Sequence, residues 1–485
     1  MLHKLLKRFL LFICSAALVT GCKVAAPPQL PSLPKAPASF LNRTDTTASI
    51  ADMPWSQFFT DPNLVSLIDT ALNRNFDLLT TIQRIEVARA NVLITKGALF
   101  PTVNGVASAG VERYGKYTLN GVGNYDTNLS PNIDGRQRIP NPTPDYFLGL
   151  RSSWELDIWG KLRNRRKAAY TRLLATEKGR QLITTALVAE IARLYFELLA
   201  LDNEVNVIRK NVGLQQRAYE IVQVQKLGGR ATELAVQQFG AQLLNTRSLE
   251  FARRQEIVRV ENQLNLLLGR YPQPIVRGQP IREQQLPATV SAGLPATMLL
   301  RRPDVQQAEL ELAASRADIS AARAAFLPSL TLSPYMGFNA FKTSLLFQGP
   351  ESIAYGIVGG LTAPLVNRAA LKAEYVRSTA NNVGAFYAYQ KAIRTGYQEV
   401  VTNLQGIDNY RQVYQLKEQE VTSLNKAVSI SNDLFVAGYA TYLEVITAQR
   451  SVLEAELQLT NARREQFFLL IDLYRALGGG WGATR

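Results

Sequence analysis

Two long stretches of the chain lack proline and repeat apolar residues every three to four positions. In the first, between Pro144 and Pro272, apolar positions lie alternately four and three residues apart. This is the spacing of a coiled-coil seam, so it predicts a helix from Leu162 to Leu227, roughly 100 Å long. A second seam follows Pro364. The two seams consist of Leu187, Ile191, Leu194, Leu198, Leu201, Val205, Ile208 and Val212, and of Leu443, Ile446, Leu453, Leu457, Phe467, Ile471 and Tyr474.

Other segments alternate apolar and polar residues with a period of two, which predicts four strands of roughly ten residues. They form two predicted β-hairpins, at about 102–159 and about 329–365. Roughly ten residues is the length of a tilted membrane-spanning strand, and a soluble hairpin packed on a core is the alternative. Aromatic residues near the strand ends favour the membrane, where they would form an interface girdle. They are Tyr146, Trp154, Trp159, Tyr335 and Tyr355.

The chain contains two copies of one plan. ARANVLITKGALFPTV (88–103) matches SRADISAARAAFLPSL (315–330), and GRATEL (229–234) matches GYATYL (438–443) at a smaller offset along the chain. The difference between the two offsets predicts about 18 extra residues in the first copy, within the Gly-, Asn- and Pro-rich segment 114–144, which is predicted to be a long loop. Two such copies indicate duplication with pseudo-symmetry rather than a solenoid.

Four strands alone cannot form a membrane barrel. An open sheet edge leaves backbone groups unpaired, and lipid offers them no hydrogen-bond partners. Several subunits must therefore pool their strands, and three copies give the allowed even number of twelve. The long helices would continue the cylinder away from the membrane.

The N-terminus predicts export and lipidation. Lys4, Lys7 and Arg8 precede an apolar run of about 11 residues, which is typical of a signal peptide and too short to span a bilayer. LVTGC ends this run and predicts cleavage before Cys22, which would receive the lipid; an ordinary signal cleaved elsewhere is the alternative. Residues 1–21 are thus the predicted signal peptide. The proline-rich residues 22–54 form a lipidated extended tether.

Composition excludes most catalytic sites. The chain has 485 residues, 47% hydrophobic and 19% charged, which allows a large core but is too polar for a membrane-helix bundle. Signal cleavage removes His3, the only histidine, and Cys14, so Cys22 is the only mature cysteine. Zinc sites of Cys and His, Ser-His-Asp triads and disulfides are therefore excluded. We predict no catalytic, cofactor or metal residues, and no cofactor beyond the lipid on Cys22.

Two charge patterns do not indicate nucleotide or nucleic-acid binding. GVERYGKY (110–117) resembles a phosphate-binding loop but has Tyr117 where Mg²⁺ needs Ser or Thr. KLRNRRK (161–167) is a basic run just after Trp159. A lipoprotein outside the cytoplasm meets no nucleic acid, so we interpret the run as a solvated face near anionic lipid headgroups. Loss of Lys4, Lys7 and Arg8 from a chain of net charge +15 leaves +12.

Four motifs, in order along nearly the whole chain, resemble one family. They are WSQFFTDPNLVSLIDTALNRNFDL (55–78), SSWELDIWGKLR (152–163), LLRRPDVQQAE (299–309) and LYRALGGGW (473–481). They resemble the outer-membrane factors of tripartite efflux pumps, the TolC/OprM-like lipoproteins. The resemblance implies an α+β membrane protein: a homotrimer with a 12-stranded β-barrel, four strands per subunit, continued by a long α-helical periplasmic barrel.

The resemblance also implies a passive exit duct in the outer membrane of a Gram-negative bacterium. Its partners would be a periplasmic adaptor and an inner-membrane RND transporter, besides outer-membrane lipid. Lys23 after the lipidated cysteine resembles the signal for outer-membrane sorting. Beyond the signal peptide and tether, the layout is a first repeat at 55–270, an equatorial linker at 271–302, a second repeat at 303–477 and a C-terminal tail at 478–485.

In this family the long helices descend to the periplasmic end and turn there at a glycine. The tips would be residues 228–231 and 437–441, with adaptor contacts from Gly228, Gly229, Arg230, Gly438 and Thr441. Glu444 matches an acidic gate position about one and a half turns into the returning helix, and Thr447 stands where an aspartate is common. Phe435 and Tyr439 are candidate plugs at the same level. An ordinary solvated role for Glu444 is the alternative.

Other functions stay open at this stage. A related duct could export metal ions, or proteins by type I secretion, and a duct need not bind its cargo. A periplasmic scaffold or adaptor would have helical hairpins without membrane-length strands. A cell-wall enzyme with paired carboxylates would need acids converging in a cleft, whereas the acids here are scattered along the helices.

Overall fold

A computed structural model describes residues 30–32, 37–40, 49–286, 290–366 and 368–482. The predicted signal peptide, Cys22 and much of the tether lie outside these ranges. The chain divides into two compact units. We call Val87–Leu173 with Glu311–Phe386 the sheet unit, and Pro31–Glu86, Leu174–Leu310 and Tyr387–Arg485 the helical unit.

The described residues form α-helices, four β-strands and two short 3₁₀ turns. The helices are α1 Trp55–Phe58, α2 Pro62–Arg74, α3 Phe76–Gly97, α4 Leu119–Leu129, α5 Lys161–Leu227, α6 Glu233–Leu267, α7 Pro295–Arg301, α8 Pro303–Ala324, α9 Ala369–Ala437 and α10 Tyr442–Ala476. The strands are β1 Thr102–Glu112, β2 Thr143–Leu156, β3 Ser329–Ala340 and β4 Ile353–Thr362.

The duplication is visible in the order and lengths of these elements. Helices α3 and α8 have 22 residues each, α5 and α9 have 67 and 69, and α6 and α10 have 35 each. The segment 113–142 joins β1 to β2, and the much shorter segment 341–352 joins β3 to β4. The first connection is therefore longer by about 18 residues, as the repeat offsets predict, and the insertion lies between paired strands, where chain length varies most freely.

The longer connection is not wholly a loop, so that part of the prediction is wrong. It contains α4, despite its glycines and asparagines. The hydroxyl of Thr118 accepts a hydrogen bond from the Gly121 N–H at 3.1 Å and so caps the helix start. The Asn128 side chain donates to the Ile139 carbonyl at 2.9 Å and accepts from the Ile139 N–H at 2.8 Å. These bonds hold a helix that local propensity disfavours.

The four predicted strands are confirmed and form one antiparallel sheet in the order β1-β2-β3-β4. Besides the two hairpins, β2 pairs with β3 and joins the copies. The strands have 11, 14, 12 and 10 residues. Strands β1 and β4 are left as the two edges of this sheet.

The residues of the first predicted seam lie in the core of the helical unit. The seam residues from Leu187 to Ile208 are all buried, and Val212 is half-buried. In the second seam Leu453, Phe467, Ile471 and Tyr474 are buried. Leu443 is a wrong prediction, because its side chain is 58% exposed. It is the second residue of α10, where Val445 and Ile446 make the contacts instead.

Three of the four family motifs meet in the helical unit. The Phe58 ring stacks on the Tyr474 ring with centroids 4.0 Å apart, and the Tyr474 hydroxyl donates to the Met53 carbonyl at 2.7 Å. Arg302, only 5% exposed, donates to the Ala476 carbonyl at 2.8 Å. Its guanidinium also pairs with Asp304 and Glu399, both at 2.7 Å. A buried charge needs such partners, so this arginine joins the segments before β3 to the C-terminal helix.

The seam makes a prediction about stability. Leu198→Ala, at a side chain with 0% exposure, should destabilise the protein by about 2–5 kcal/mol because it leaves a cavity. Leu227→Ala is the matched control on the same helix, at a side chain 88% exposed, and should change stability little. Melting temperatures of the two variants in one detergent measure the contrast. Equal melting temperatures would show that the seam is not the core.

Candidate functional site

The strand register gives the sheet one continuous apolar face. Leu150 of β2 lies opposite Gly105 of β1 and Met336 of β3, and Met336 lies opposite Tyr355 of β4. Because side chains alternate between the faces of a strand, these positions and those two residues away share one face. Its members are largely exposed to solvent within one chain: Val103, Val111, Leu148, Leu150, Met336, Ile353, Tyr355, Ile357 and Leu361.

A contiguous exposed apolar face needs a partner, and no charged residue interrupts this one. The opposite face holds mainly polar side chains and glycines, for example Asn104, Ser108, Ser333 and Asn339. Strands of 10 to 14 residues are long enough to cross a bilayer at a tilt. The sheet therefore has one face suited to lipid and one suited to water.

Of the predicted interface aromatics, Tyr146, Trp154 and Tyr355 belong to the apolar face of the sheet, and Trp159 follows the end of β2. Tyr146 and Trp154 lie on the apolar face, opposite Ala340 and Leu332 of β3. The Trp154 indole N–H donates to the Leu99 carbonyl at 3.0 Å. Trp159, beyond the end of β2 and half exposed, donates to the Pro328 carbonyl at 2.7 Å. Both indoles thus anchor strand ends to the segments that precede β1 and β3.

Tyr335 is a wrong prediction as an interface residue. It lies opposite Arg151 and Gly356, which places it on the polar face. Its ring meets the Phe147 ring edge-on, with centroids 6.3 Å apart. Tyr335 is two residues from Ser333 and next to Met336, so it shares the face of Ser333. The alternation of the strand alone therefore predicts the polar face for Tyr335.

The two predicted tips are turns of the same design. At the first, Gly229 has φ +70° and the Arg230 N–H donates to the Gln225 carbonyl at 2.8 Å. At the second, Gly438 has φ +83° and the Tyr439 N–H donates to the Leu434 carbonyl at 2.8 Å. These bonds close helix ends of the Schellman type, for which glycine is favoured.

A threonine then starts the returning helix at each tip, three residues after the glycine. Thr232 caps α6, with the Ala235 N–H donating to its hydroxyl at 3.2 Å. Thr441 caps α10. The remaining tip residues, Gly228 and Arg230, are exposed and available to a partner protein.

Glu444 has a structural role that its sequence position alone did not suggest. It is the third residue of α10, in the first turn rather than one and a half turns in. Its carboxylate accepts the Thr441 N–H at 2.6 Å and the Thr441 hydroxyl at 3.0 Å. These two bonds stabilise the charged form and hold the pKa of Glu444 below its usual value. The motif Thr-x-x-Glu is a capping box, and this is the signal that could have revealed the role.

The other predicted gate residues are distributed over different environments. Thr447 is exposed on α10, and Tyr439 is 85% exposed at the turn. Phe435 instead packs into a small tip cluster, with its ring 6.3 Å from that of Phe239. Its side chain therefore supports the tip in this structure, which does not present it as a plug. The cluster is completed by Ala218, Val222, Ala235, Val236 and Val445.

Two further observations bear on function. Within the described part of the chain, no group of His, Cys, Asp and Glu side chains could hold a metal ion. Among the same residues, no helix has the length and the apolar character needed to cross a membrane. Cys22 lies outside the described residues, so its lipidation stays a prediction.

Comparisons with known proteins agree with this architecture. The family model of outer membrane efflux proteins matches residues 67–270 and 294–479. The pyoverdine export outer membrane protein OpmQ of Pseudomonas putida is 30% identical over 500 residues, which cover 99% of this chain and 98% of OpmQ. The cation efflux system protein CusC of Escherichia coli K12 is 28% identical, with coverage of 97% and 99%.

Solved structures show the same fold. A crystal structure of a membrane protein from Pseudomonas aeruginosa aligns with a TM-score of 0.82 at 27% identity, over 95% of this chain and 98% of that one. A crystal structure of CusC aligns with a TM-score of 0.78 at 26% identity, over 95% and 100% of the two chains.

Proposed function

The chain belongs to the outer membrane efflux protein family, and we propose that it is the passive exit duct for small molecules leaving an inner-membrane RND transporter through a periplasmic adaptor. It is an outer-membrane efflux channel and not an enzyme. Its fold class is that of the trimeric channels with a β-barrel and a long helical tunnel. The proposal concerns the type of inner-membrane pump, the adaptor that joins it to the channel, and the exported cargo.

The observation that carries the proposal is the two-faced sheet with two open edges. An apolar face of membrane-spanning length fits lipid, and edge strands β1 and β4 fit pairing with the next copy. Three copies would give twelve strands with the polar faces inward, around water. A periplasmic scaffold or adaptor would not need strands of membrane-spanning length with an exposed apolar face.

The exported substrate class is a separate question. The relatives named above export pyoverdine or belong to a cation efflux system. We propose small molecules in general, with metal ions or proteins as the alternatives. Identifying the inner-membrane transporter that co-purifies with this chain distinguishes these classes.

The proposal predicts a defined assembly. Chemical crosslinking of the detergent-purified protein should saturate at three subunits, because three sheets are needed to close the barrel. Removing detergent should precipitate the protein, since the apolar face then meets water. A stable monomer in detergent-free buffer would contradict both the barrel and the duct.

Lipidation can be tested on the mature protein. Mass spectrometry of the mature N-terminus should find a lipid on Cys22, with residues 1–21 removed. Cys22→Ser should still form trimers, because the barrel and not the lipid inserts the protein, while less of it reaches the outer membrane. An unmodified mature chain that begins at another residue would contradict the assignment.

The prediction for the gate rests on Glu444 facing the axis of the trimer. Glu444→Gln removes the charge but keeps an oxygen that can accept the Thr441 N–H, as glutamine does in capping boxes. The cation-to-anion permeability ratio of single channels in a planar bilayer should fall by about twofold or more. Block by divalent cations should weaken, while trimer stability stays unchanged.

Two control variants test whether an effect of Glu444→Gln on selectivity comes from its charge, from weaker helix capping, or from a charge change at either tip. Thr441→Ala removes a capping hydroxyl and keeps the carboxylate, so it should leave selectivity unchanged. Glu233→Gln makes the same charge change at the first tip, where Glu233 is paired with Lys226. Glu233→Gln should change neither selectivity nor block, and if Glu444→Gln also leaves both unaltered, the gate lies elsewhere.

A further inference from the structure

The four strands, all of which the structure describes, contain four charged residues. They are Glu112, Asp145, Arg151 and Glu155, and the register places all of them on the polar face. Arg151 is the one cation among them. It is exposed, and no carboxylate in the described part of the chain is within ion-pair distance of it.

The acids of the sheet are too distant to cancel this charge. Asp145 is six residues away, about 20 Å along the strand, and Glu155 is four residues away, about 13 Å. Glu155 is in addition paired with Lys161. Both separations exceed the screening length of about 8 Å at physiological ionic strength. The row of Arg151 across the sheet, Asn104, Tyr335 and Gly356, is neutral.

The Arg151 guanidinium lies over the Phe147 ring, and the Tyr335 ring meets Phe147 edge-on. Arg151 Cζ sits 4.6 Å from the centroid of the Phe147 ring, a cation–π contact. A Cβ at Gly337 would come within 3.0 Å of the Phe147 ring, and a Cβ at Gly356 within 2.8 Å of the Tyr335 ring. Only glycine at these two positions leaves the rings where they are. These contacts place the cation over the polar face.

We propose that Arg151 makes the barrel a selectivity element that favours anionic solutes, such as carboxylates and sulfonates. The inference rests on the proposed function, in which three polar faces enclose water, so that three guanidinium groups form one ring. A ring of fixed like charges attracts counter-charged solutes and repels the others. It would have the opposite sign to the acidic residue at the second tip.

A thiol reporter beside Arg151 tests the field directly and does not depend on the gate. The mature chain has no cysteine other than Cys22, so Asn104→Cys, opposite Arg151, introduces one reactive thiol. Its modification rates are measured with two methanethiosulfonates, the anionic sulfonatoethyl and the cationic trimethylammonioethyl reagent, on the trimer in nanodiscs. The ratio of the two rates removes any change in thiol reactivity that both reagents share.

The anionic-to-cationic rate ratio should fall about threefold or more when Arg151→Gln is added, since a unit charge about 7 Å away shifts the two probes in opposite directions. Arg151→Lys should keep the ratio, because it keeps the charge. Arg166→Gln, at an exposed cation on α5 outside the sheet, is the matched control and should not change it. An unchanged ratio in Arg151→Gln, or an equal fall in Arg166→Gln, would overturn the proposal.

A second reporter separates this outcome from failure of the duct itself. Val103→Cys, opposite Ser152 on the apolar face, should react slowly with both reagents because lipid covers it. If Val103→Cys reacts as fast as Asn104→Cys, or if the protein is not a trimer, the proposed function fails. If Val103→Cys reacts slowly, the protein is a trimer and Arg151→Gln leaves the rate ratio unchanged, only the selectivity proposal fails.

Discussion

Unpaired backbone groups at the two edges of the sheet constrain everything else in this protein. In water, β1 and β4 could hydrogen-bond to solvent, but the apolar face commits the strands to lipid, where no such partners exist. Pairing of β1 and β4 with the edge strands of neighbouring copies satisfies these groups. Duplication within the chain removes two of the four hairpin edges, because β2 of the first copy pairs with β3 of the second. Association between chains then repeats the same antiparallel contact.

The helical unit solves a different problem by similar means. Long helices need a wide apolar seam, since helical propensity alone does not hold them together. The seam from Leu187 to Ile208 provides it. The chain must also reverse direction twice, and both reversals use a left-handed glycine followed by a threonine cap. The same backbone turn at Gly229 and Gly438 explains why the two tips match in sequence while much of the intervening helix does not.

Periodic features could be predicted from the sequence, because burial on one face of a regular element imposes them. The helix at Lys161–Leu227 and the four strands follow from such patterns, and the longer connection of the first copy follows from the offsets between the repeats. Features set by single contacts could not. Helix α4 depends on the bonds between Asn128 and Ile139, and Phe435 depends on its neighbour Phe239. Tyr335 is predicted on the apolar face because it is aromatic, although odd-numbered residues of β3 lie on the polar face.

The two tips differ electrostatically although their backbones match. At the first, the carboxylate of Glu233 is paired with Lys226, and the exposed Arg230 leaves the turn with a net positive charge. At the second, the carboxylate of Glu444 is satisfied by Thr441, a neutral residue, and no cation within the described chain pairs with it. The hydrogen bonds fix its position and keep it ionised without removing its charge. The two tips therefore share one backbone design and carry opposite charges, positive at the first and negative at the second.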